Sequence, residues 1–217
     1  MGQKADPRAN RMAITKNWTS KWFASSKDYK NYLTADLKIR DWTKAKLSKS
    51  GVAVIEISRS RDKLTLRIVT NRPGLIIGRS GQGINDLQKE LQAQFSPNGF
   101  PVIRVEVVEE KQPDTSAALV AQNICQQIER RKPYRPTVKS TIERTMSRGV
   151  KGIKVLVSGR LGGAEIARKE KFMDGSIPLS RFNVNIDYAY QKCQTTYGML
   201  GIKVWINKGD HIEEEII

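Results

Sequence analysis

The run Gly74-Leu75-Ile76-Ile77-Gly78-Arg79-Ser80-Gly81-Gln82-Gly83-Ile84 decides how the first half of the chain is read. Pro73-Gly74 ends the strand-like segment before it, Leu75-Ile76-Ile77 is apolar, and Gly78-Arg79-Ser80-Gly81 has turn composition. Ile84, Leu87, Leu91 and Phe95 then recur at helical spacing, so the turn leads into a helix. Neither Gly78 nor Gly81 carries a Cβ, which lets the backbone come close to a phosphodiester. The following helix aims its unpaired N–H groups the same way, and Arg79 adds a positive charge at the tip. Ile76, Ile77 and Ile84 are expected to anchor the turn on the core.

Upstream, Val52–Ser58 and Leu64–Thr70 read as strands joined by Arg59-Ser60-Arg61-Asp62. A helix is expected over 34–48, with Thr34 as its N-cap, Gly51 just beyond its end, and Leu37 and Leu47 as a partial apolar stripe. Downstream, Ser96-Pro97-Asn98-Gly99 closes the second helix and Val102–Val108 alternates as a further strand. A GXXG turn flanked by isoleucines, in the order helix, strand, strand, helix, turn, helix, strand, is the pattern of a KH domain. Two other phosphate motifs fail on single residues: Ile84 stands where a Walker loop needs Lys, and Asp86 where a dinucleotide fingerprint needs its third glycine.

Gln112-Pro113-Asp114 marks a boundary, with Asp114 or Thr115 expected to cap a new helix. Ala117, Val120, Ala121, Ile124 and Ile128 share one face of that helix, which is expected to stop at Pro133. A second helix is expected from about Pro136 to Arg148. Four strands follow, at Ile153–Ser158, Ala164–Phe172, Phe182–Tyr190 and Gly201–Ile206. The fold class is therefore α+β: a KH domain at 34–111 and a two-layer α+β domain at 112–210, its mainly antiparallel sheet covered by helices. An arm at 1–33 precedes them, and a short acidic tail, 211–217, ends the chain.

The chain has 217 residues, with 38 Lys+Arg against 22 Asp+Glu and a formal charge of +16. Such an excess repels itself in a compact state and is relieved by a polyanion. The surplus is concentrated: residues 1–49 hold twelve bases and four acids, and residues 130–160 hold ten and one. Two such regions point to extended contact with a phosphate backbone. Within the arm, Trp18, Trp22, Phe23, Tyr29 and Tyr32 interleave with Lys21, Lys27 and Lys30. Those rings either stack bases or pin the arm to the domain, and packing is the favoured reading.

Other classes find little support. No run of about 18 apolar residues suggests a membrane span. Nothing at the amino terminus reads as a secretory signal, which fits a cytoplasmic protein. Cys125 and Cys193 make neither a disulfide framework nor a zinc motif, and Cys125 reads as a small buried hydrophobe. His211, the one histidine, has no nucleophile motif beside it. No catalytic residue, metal ligand or cofactor is expected.

One resemblance covers nearly the whole chain. Met1-Gly2-Gln3-Lys4 with Pro7, Asp36-Leu37-Lys38-Ile39-Arg40, and Arg72-Pro73-Gly74 through Ile84 resemble the bacterial-type small ribosomal subunit protein S-three family. Most specific are Lys151 to Val155, Val157 to Arg168, Asn185 to Tyr188, Thr195 to Gly198 and Gly201 to Ile206. The resemblance implies a KH domain of the prokaryotic topology (type II) and a place on the small-subunit head beside the mRNA entrance. It implies small-subunit rRNA, mRNA and proteins S-ten and S-fourteen as partners, with S-two nearby, in a bacterial or organelle-encoded chain.

Candidate RNA contacts at the KH turn are Gly78, Arg79, Ser80 and Gly81. Arg130, Arg131, Arg135 and Lys139 are the candidates for incoming mRNA. The resemblance gives that role to Arg135 and Lys139 and withholds it from Pro136, where the family usually has a second arginine. On the second helix only Glu143 offers these cations a counter-charge. A wider basic surface comprises Lys4, Arg8, Arg11, Arg144, Arg148, Lys151 and Arg160. Two alternatives stay open: a free KH regulator acting on mRNA, and a nucleic-acid lyase or nuclease.

The charge distribution makes RNA binding salt-sensitive. With about six phosphates neutralised, log K is expected to fall against log salt with a slope of roughly −4 to −5. Titration of a small-subunit head RNA fragment at several salt concentrations measures it, and a flat response removes the electrostatic account.

Overall fold

The computed structural model describes residues 4–48, 50–60, 62–96 and 101–210. The Met1-Gly2-Gln3 start, Arg61, the turn residues Pro97 to Gly99, His211 and the acidic tail lie outside the described residues. The chain divides into two compact units. One runs from Trp18 to Lys111, and the other joins the segment ending at Asn17 to the chain from Gln112 onward. The arm expected over 1–33 is thus not one piece.

The first unit contains β1 (Ser20–Lys21), α1 (Ser26–Lys46), β2 (Val52–Arg59), β3 (Lys63–Thr70), α2 (Pro73–Ile77), α3 (Gln82–Phe95) and β4 (Val102–Glu109). Its sheet has the order β1-β2-β3-β4, with β2 and β3 antiparallel and β4 parallel to β3. Parallel neighbours need a crossover, and here α2, the glycine turn and α3 supply it. The strict alternation of β3 puts Leu64, Leu66 and Ile68 inward, where they are buried with Ile39 of α1 and Leu87 and Leu91 of α3. Full burial of each such side chain contributes about 1.5–3 kcal/mol.

α1 begins at Ser26, eight residues before the expected start. Thr34 lies inside it, and its hydroxyl donates back to the Lys30 carbonyl at 2.7 Å. Nothing from Ser26 to Leu33 breaks a helix, and Ser25 with Asp28 forms the amino-terminal turn instead, Oγ to Oδ2 at 2.7 Å. Leu37 is exposed while Ile39 is buried, so the inward stripe runs through Ile39, Thr43 and Leu47.

Asp36 of α1 is almost fully buried and is met from several directions. Arg59 of β2 pairs with it at 2.9 Å, Trp22 donates its indole N–H at 2.7 Å, and Ser20 of β1 donates at 3.5 Å. The Arg59 guanidinium also lies 4.4 Å from the Tyr32 ring centroid. This network fixes Trp22 and Tyr32, while Trp18, Phe23 and Tyr29 stay exposed. The aromatic run therefore divides between packing and solvent.

The second unit contains α4 (Ala117–Glu129), α5 (Tyr134–Ser147), β5 (Gly152–Gly159), β6 (Arg168–Gly175), β7 (Val184–Thr195) and β8 (Gly198–Asp210). Its wholly antiparallel sheet has the order β6-β5-β8-β7. Ile153, Val155 and Val157 of β5, with Ile202, Val204 and Ile206 of β8, face α4 and α5 across one core.

Several boundaries differ from expectation: β7 starts at Val184, not Phe182, and runs on to Thr195, and β8 extends the expected Gly201–Ile206 to Gly198–Asp210 because the two strands pair continuously through their joining turn. Neither Asp114 nor Thr115 caps α4: Ser116 precedes it, and the carboxylate of Asp187 on β7 accepts the Ala117 N–H at 2.9 Å. α4 ends at Glu129, short of Pro133, because Arg130 to Lys132 turn the corner. β6 starts at Arg168 and not Ala164, since Gly162 and Gly163 have positive φ and Arg160 Nε donates to the Ala164 carbonyl at 3.0 Å, curling that segment.

Removing one partner of a buried pair leaves an uncompensated charge. Asp36→Ala is expected to destabilise the chain by about 3–5 kcal/mol, measured by urea denaturation. A loss below about 1 kcal/mol is what an exposed pair would give, and would contradict the burial argument.

Candidate nucleic-acid interface

The glycine turn follows directly from the crossover. Gly78 has φ +70°, Ser80 +52° and Gly81 +78°, conformations in which glycine is unstrained and a serine is not. Gly83 has ordinary φ but no room: a Cβ there would lie 2.6 Å from the Ile76 carbonyl oxygen. That closeness lets α3 start flush against the end of α2. Ile76 is buried and Ile84 packs against the core, but Ile77 is 38% exposed and does not anchor the turn as expected. Arg79 and Ser80 are exposed at the tip. No side chain caps α3, so its first N–H groups have no such acceptor. Donors and a cation together suit an anion.

The second basic region surrounds the corner between α4 and α5. Arg131 adopts φ +63° there, held by N–H donation to the Ile128 carbonyl at 2.8 Å, while the Lys132 N–H reaches the Gln127 carbonyl at 3.1 Å. Pro136 sits in the first turn of α5, where its missing N–H costs no intrahelical bond. Arg130, Arg131, Lys132, Lys139 and Arg144 are exposed, and none has an ion-pair partner among the described residues.

Arg135 differs from these. Its guanidinium donates to both carboxylate oxygens of Glu170 on β6, at 2.7 and 3.2 Å, and the Tyr134 hydroxyl donates to the same carboxylate at 3.0 Å. Those hydrogen bonds hold Glu170 below the usual carboxylate range and raise Arg135. Glu143 is therefore not the sole counter-charge of this surface: within one helix it stands alone, and β6 supplies a second acid.

The wider basic surface divides as well. Arg11 is no surface contact: it is fully buried, with its guanidinium donating to the carbonyls of Pro7, Leu179, Arg181 and Val184 at 3.0, 3.2, 2.6 and 2.9 Å. Arg8 pairs with Asp6 at 2.9 Å and Arg148 with Asp114 at 3.4 Å. Arg160 is exposed but donates to Ala164 and Tyr197 carbonyls. Lys4 and Lys151 are exposed.

Cys125 and Cys193, far apart in sequence, meet between α4 and β7. With Glu129 they bring two sulfurs and a carboxylate within 4.8 Å, the one such grouping among the described residues. Burial pushes both thiols above their ordinary pKa, so they stay protonated and pack as small apolar groups.

Two families of known sequence match this arrangement. Residues 38–115 match the KH domain family, and residues 124–206 match the family described as ribosomal protein S3, C-terminal domain. Proteins named small ribosomal subunit protein uS3 resemble nearly the whole chain. That of Clostridium acetobutylicum is 44% identical, over 97% of this chain and 93% of its own. That of Clostridium botulinum strain Okra is 45% identical over the same shares, and that of Caldicellulosiruptor saccharolyticus 44%, over 99% and 96%.

The chain belongs to the uS3 family of small ribosomal subunit proteins.

Membership carries a structural, RNA-binding role in the small subunit. Among the described residues no helix is long and apolar enough to cross a membrane. Sequence reading missed Gly83, whose need shows only once α2 and α3 approach, and Glu170, whose partner lies 35 positions away.

A methyl group at position 83 meets backbone, which cannot swing aside. Gly83→Ala is expected to cost about 1–3 kcal/mol, whereas Gly74→Ala, with nothing within 4 Å of its Cβ, is expected not to destabilise. Thermal melts of the two variants provide the comparison, and equal melting temperatures would remove the close-approach argument.

Proposed function

We propose that the chain binds small-subunit rRNA in the head and that its α4–α5 corner lies along the path of entering mRNA. It acts by binding, without catalysing a reaction, on ribosomes in the cytoplasm. The observation that carries this is the run of exposed cations through the corner and along α5: Arg130, Arg131, Lys132, Lys139 and Arg144 lack ion-pair partners among the described residues, and Arg131 has a left-handed backbone. A backbone of phosphates is the natural complement of such a row. The KH turn (Gly78, Arg79, Ser80, Gly81) offers a second contact of different character, by backbone donors and one charge.

Arg135 and Lys139 are one helical turn apart and share a face of α5. Arg135 starts paired with Glu170, but its own side chain is exposed and Glu170 partly so, which leaves the guanidinium open to a phosphate. Pro136 leaves the helix start intact while contributing no charge. The protein neighbours proposed are S-ten and S-fourteen, with S-two nearby, on the family resemblance alone.

Co-sedimentation with small subunits at moderate salt tests the reading, and a chain found only in the soluble fraction removes it. Ribosomes carrying Arg135→Ala with Lys139→Ala are expected to slow selectively on messages with a stable hairpin. Equal rates on structured and unstructured messages, with normal assembly, would show these side chains to be solvated charge only.

A further inference from the structure

The second sheet has a face turned away from α4 and α5, and its composition is unlike that of the helix-covered face. Strand alternation sends successive residues to opposite sides, and antiparallel register lines up those that share a side. On the far side, Lys154 of β5 stands opposite Trp205 of β8, which stands opposite Tyr188 of β7. Two residues along, Lys171 of β6, Lys203 of β8 and Tyr190 of β7 lie in the next row. Lys169 and Lys192 belong to the row after that, at the two edges of the sheet.

No Asp or Glu falls on these three rows, whereas five lysines do. β6 displays the sorting within one strand. In Lys169-Glu170-Lys171, the acid points to the helix side, where Tyr134 and Arg135 meet it, and both lysines point away. None of the five lysines has an ion-pair partner among the described residues. Burial first, and after it repulsion from Lys4 and Lys171, lowers the pKa of Lys154.

Two of the five lysines also rest against rings. Lys154 Nζ sits 4.9 Å from the Trp205 ring centroid, and Lys203 Nζ 5.7 Å from that of Tyr190. At the Tyr188 end, Arg8 lies over the ring but is paired with Asp6, so that corner is neutralised. The uncompensated charge lies toward β6 and toward Tyr190, whose side is 49% exposed.

We propose that this sheet face is an RNA-binding surface of its own: its lysines engage a phosphodiester backbone, and Tyr190 offers a ring to an unpaired base. It is separate from the KH turn and from the α4–α5 corner, and it rests on the reading of the chain as an rRNA-binding protein. Lysine rows without acids complement a polyanion, and an exposed ring among them suits a single-stranded stretch. Lys154 and Lys203 come to the phosphates already ordered over their rings, with less side-chain freedom to lose.

The test uses the full chain and protein-free small-subunit rRNA. Lys169→Gln with Lys171→Gln and Lys192→Gln changes only exposed side chains, and its melting curve checks the fold. Binding measured over a salt series is expected to weaken, with a slope shallower by about two to three, at roughly 0.7–0.9 for each phosphate no longer neutralised. A second variant, Tyr190→Ala, is expected to weaken binding without changing the slope. Acetylation of the bound wild-type chain, read by mass spectrometry, is expected to spare Lys169, Lys171 and Lys192.

If the wild-type chain binds and the triple variant matches it in affinity and slope, this surface is not an RNA site. Lysines protected in the assembled subunit but labelled in the binary rRNA complex would assign the face to a neighbouring protein, and would equally overturn the proposal. A wild-type chain that does not bind the rRNA at all overturns the parent reading with it.

Discussion

Arg11 is a full positive charge with no exposed surface, and its guanidinium is met by carbonyls of Pro7, Leu179, Arg181 and Val184. An ionised group cannot be withdrawn from water without such partners, and no carboxylate is among them. Burial lowers its pKa, yet an arginine starts so high that it remains charged. The geometry is therefore compulsory. The segment before Asn17 must lie where carbonyls from Leu179 to Val184 converge, and the second unit incorporates the chain's own beginning. Asp36 imposes the mirror-image condition in the first unit, where a buried carboxylate collects Ser20, Trp22 and Arg59. The basic amino-terminal region is divided between units by these two buried charges, one of each sign.

What could be read in the sequence was what repeats locally. Leu64, Leu66 and Ile68 alternate, Leu87 and Leu91 fall one turn apart, and glycines bracket Arg79-Ser80. Each pattern reports its own element, so β2, β3, β4 and the glycine turn emerged within a residue or two of their places. What escaped depends on partners distant in sequence. The cap of α4 is a carboxylate from β7, the counter-charge of Arg135 comes from β6, and Arg11 is indistinguishable in sequence from the exposed Arg8 three positions earlier. The early start of α1 escaped for a different reason: Thr34 has the chemistry of a cap, and only its bond to Lys30 reveals it inside the helix.

The same distinction governs the candidate contacts. A basic residue counts toward RNA binding only if the fold has not already used it. Arg11, Arg40 and Arg59 are used internally, donating to carbonyls or to Asp36. Arg8, Arg135 and Arg148 are shared, each with one exposed or partly exposed acid. The corner from Arg130 to Lys132, with Lys139 and Arg144, is uncommitted among the described residues. A formal +16 thus overstates the free surface charge in some regions and understates its concentration in others, because pairing removes it unevenly.

The corner between α4 and α5 shows why concentration alone is not the whole design. A left-handed non-glycine residue costs on the order of 1 kcal/mol, and the obvious relief would be a glycine after Glu129. The sequence instead has Arg131 at that position, held by its own N–H and that of Lys132. Pro133 then precedes α5, and Pro136 sets φ inside its first turn. Strain accepted at an arginine, with prolines on the far side, gives a corner with little backbone freedom. The charges of Arg130 and Arg131 therefore hang from a fixed frame, and an RNA strand meeting them need not order the backbone first. A glycine would relax the corner and remove one cation together.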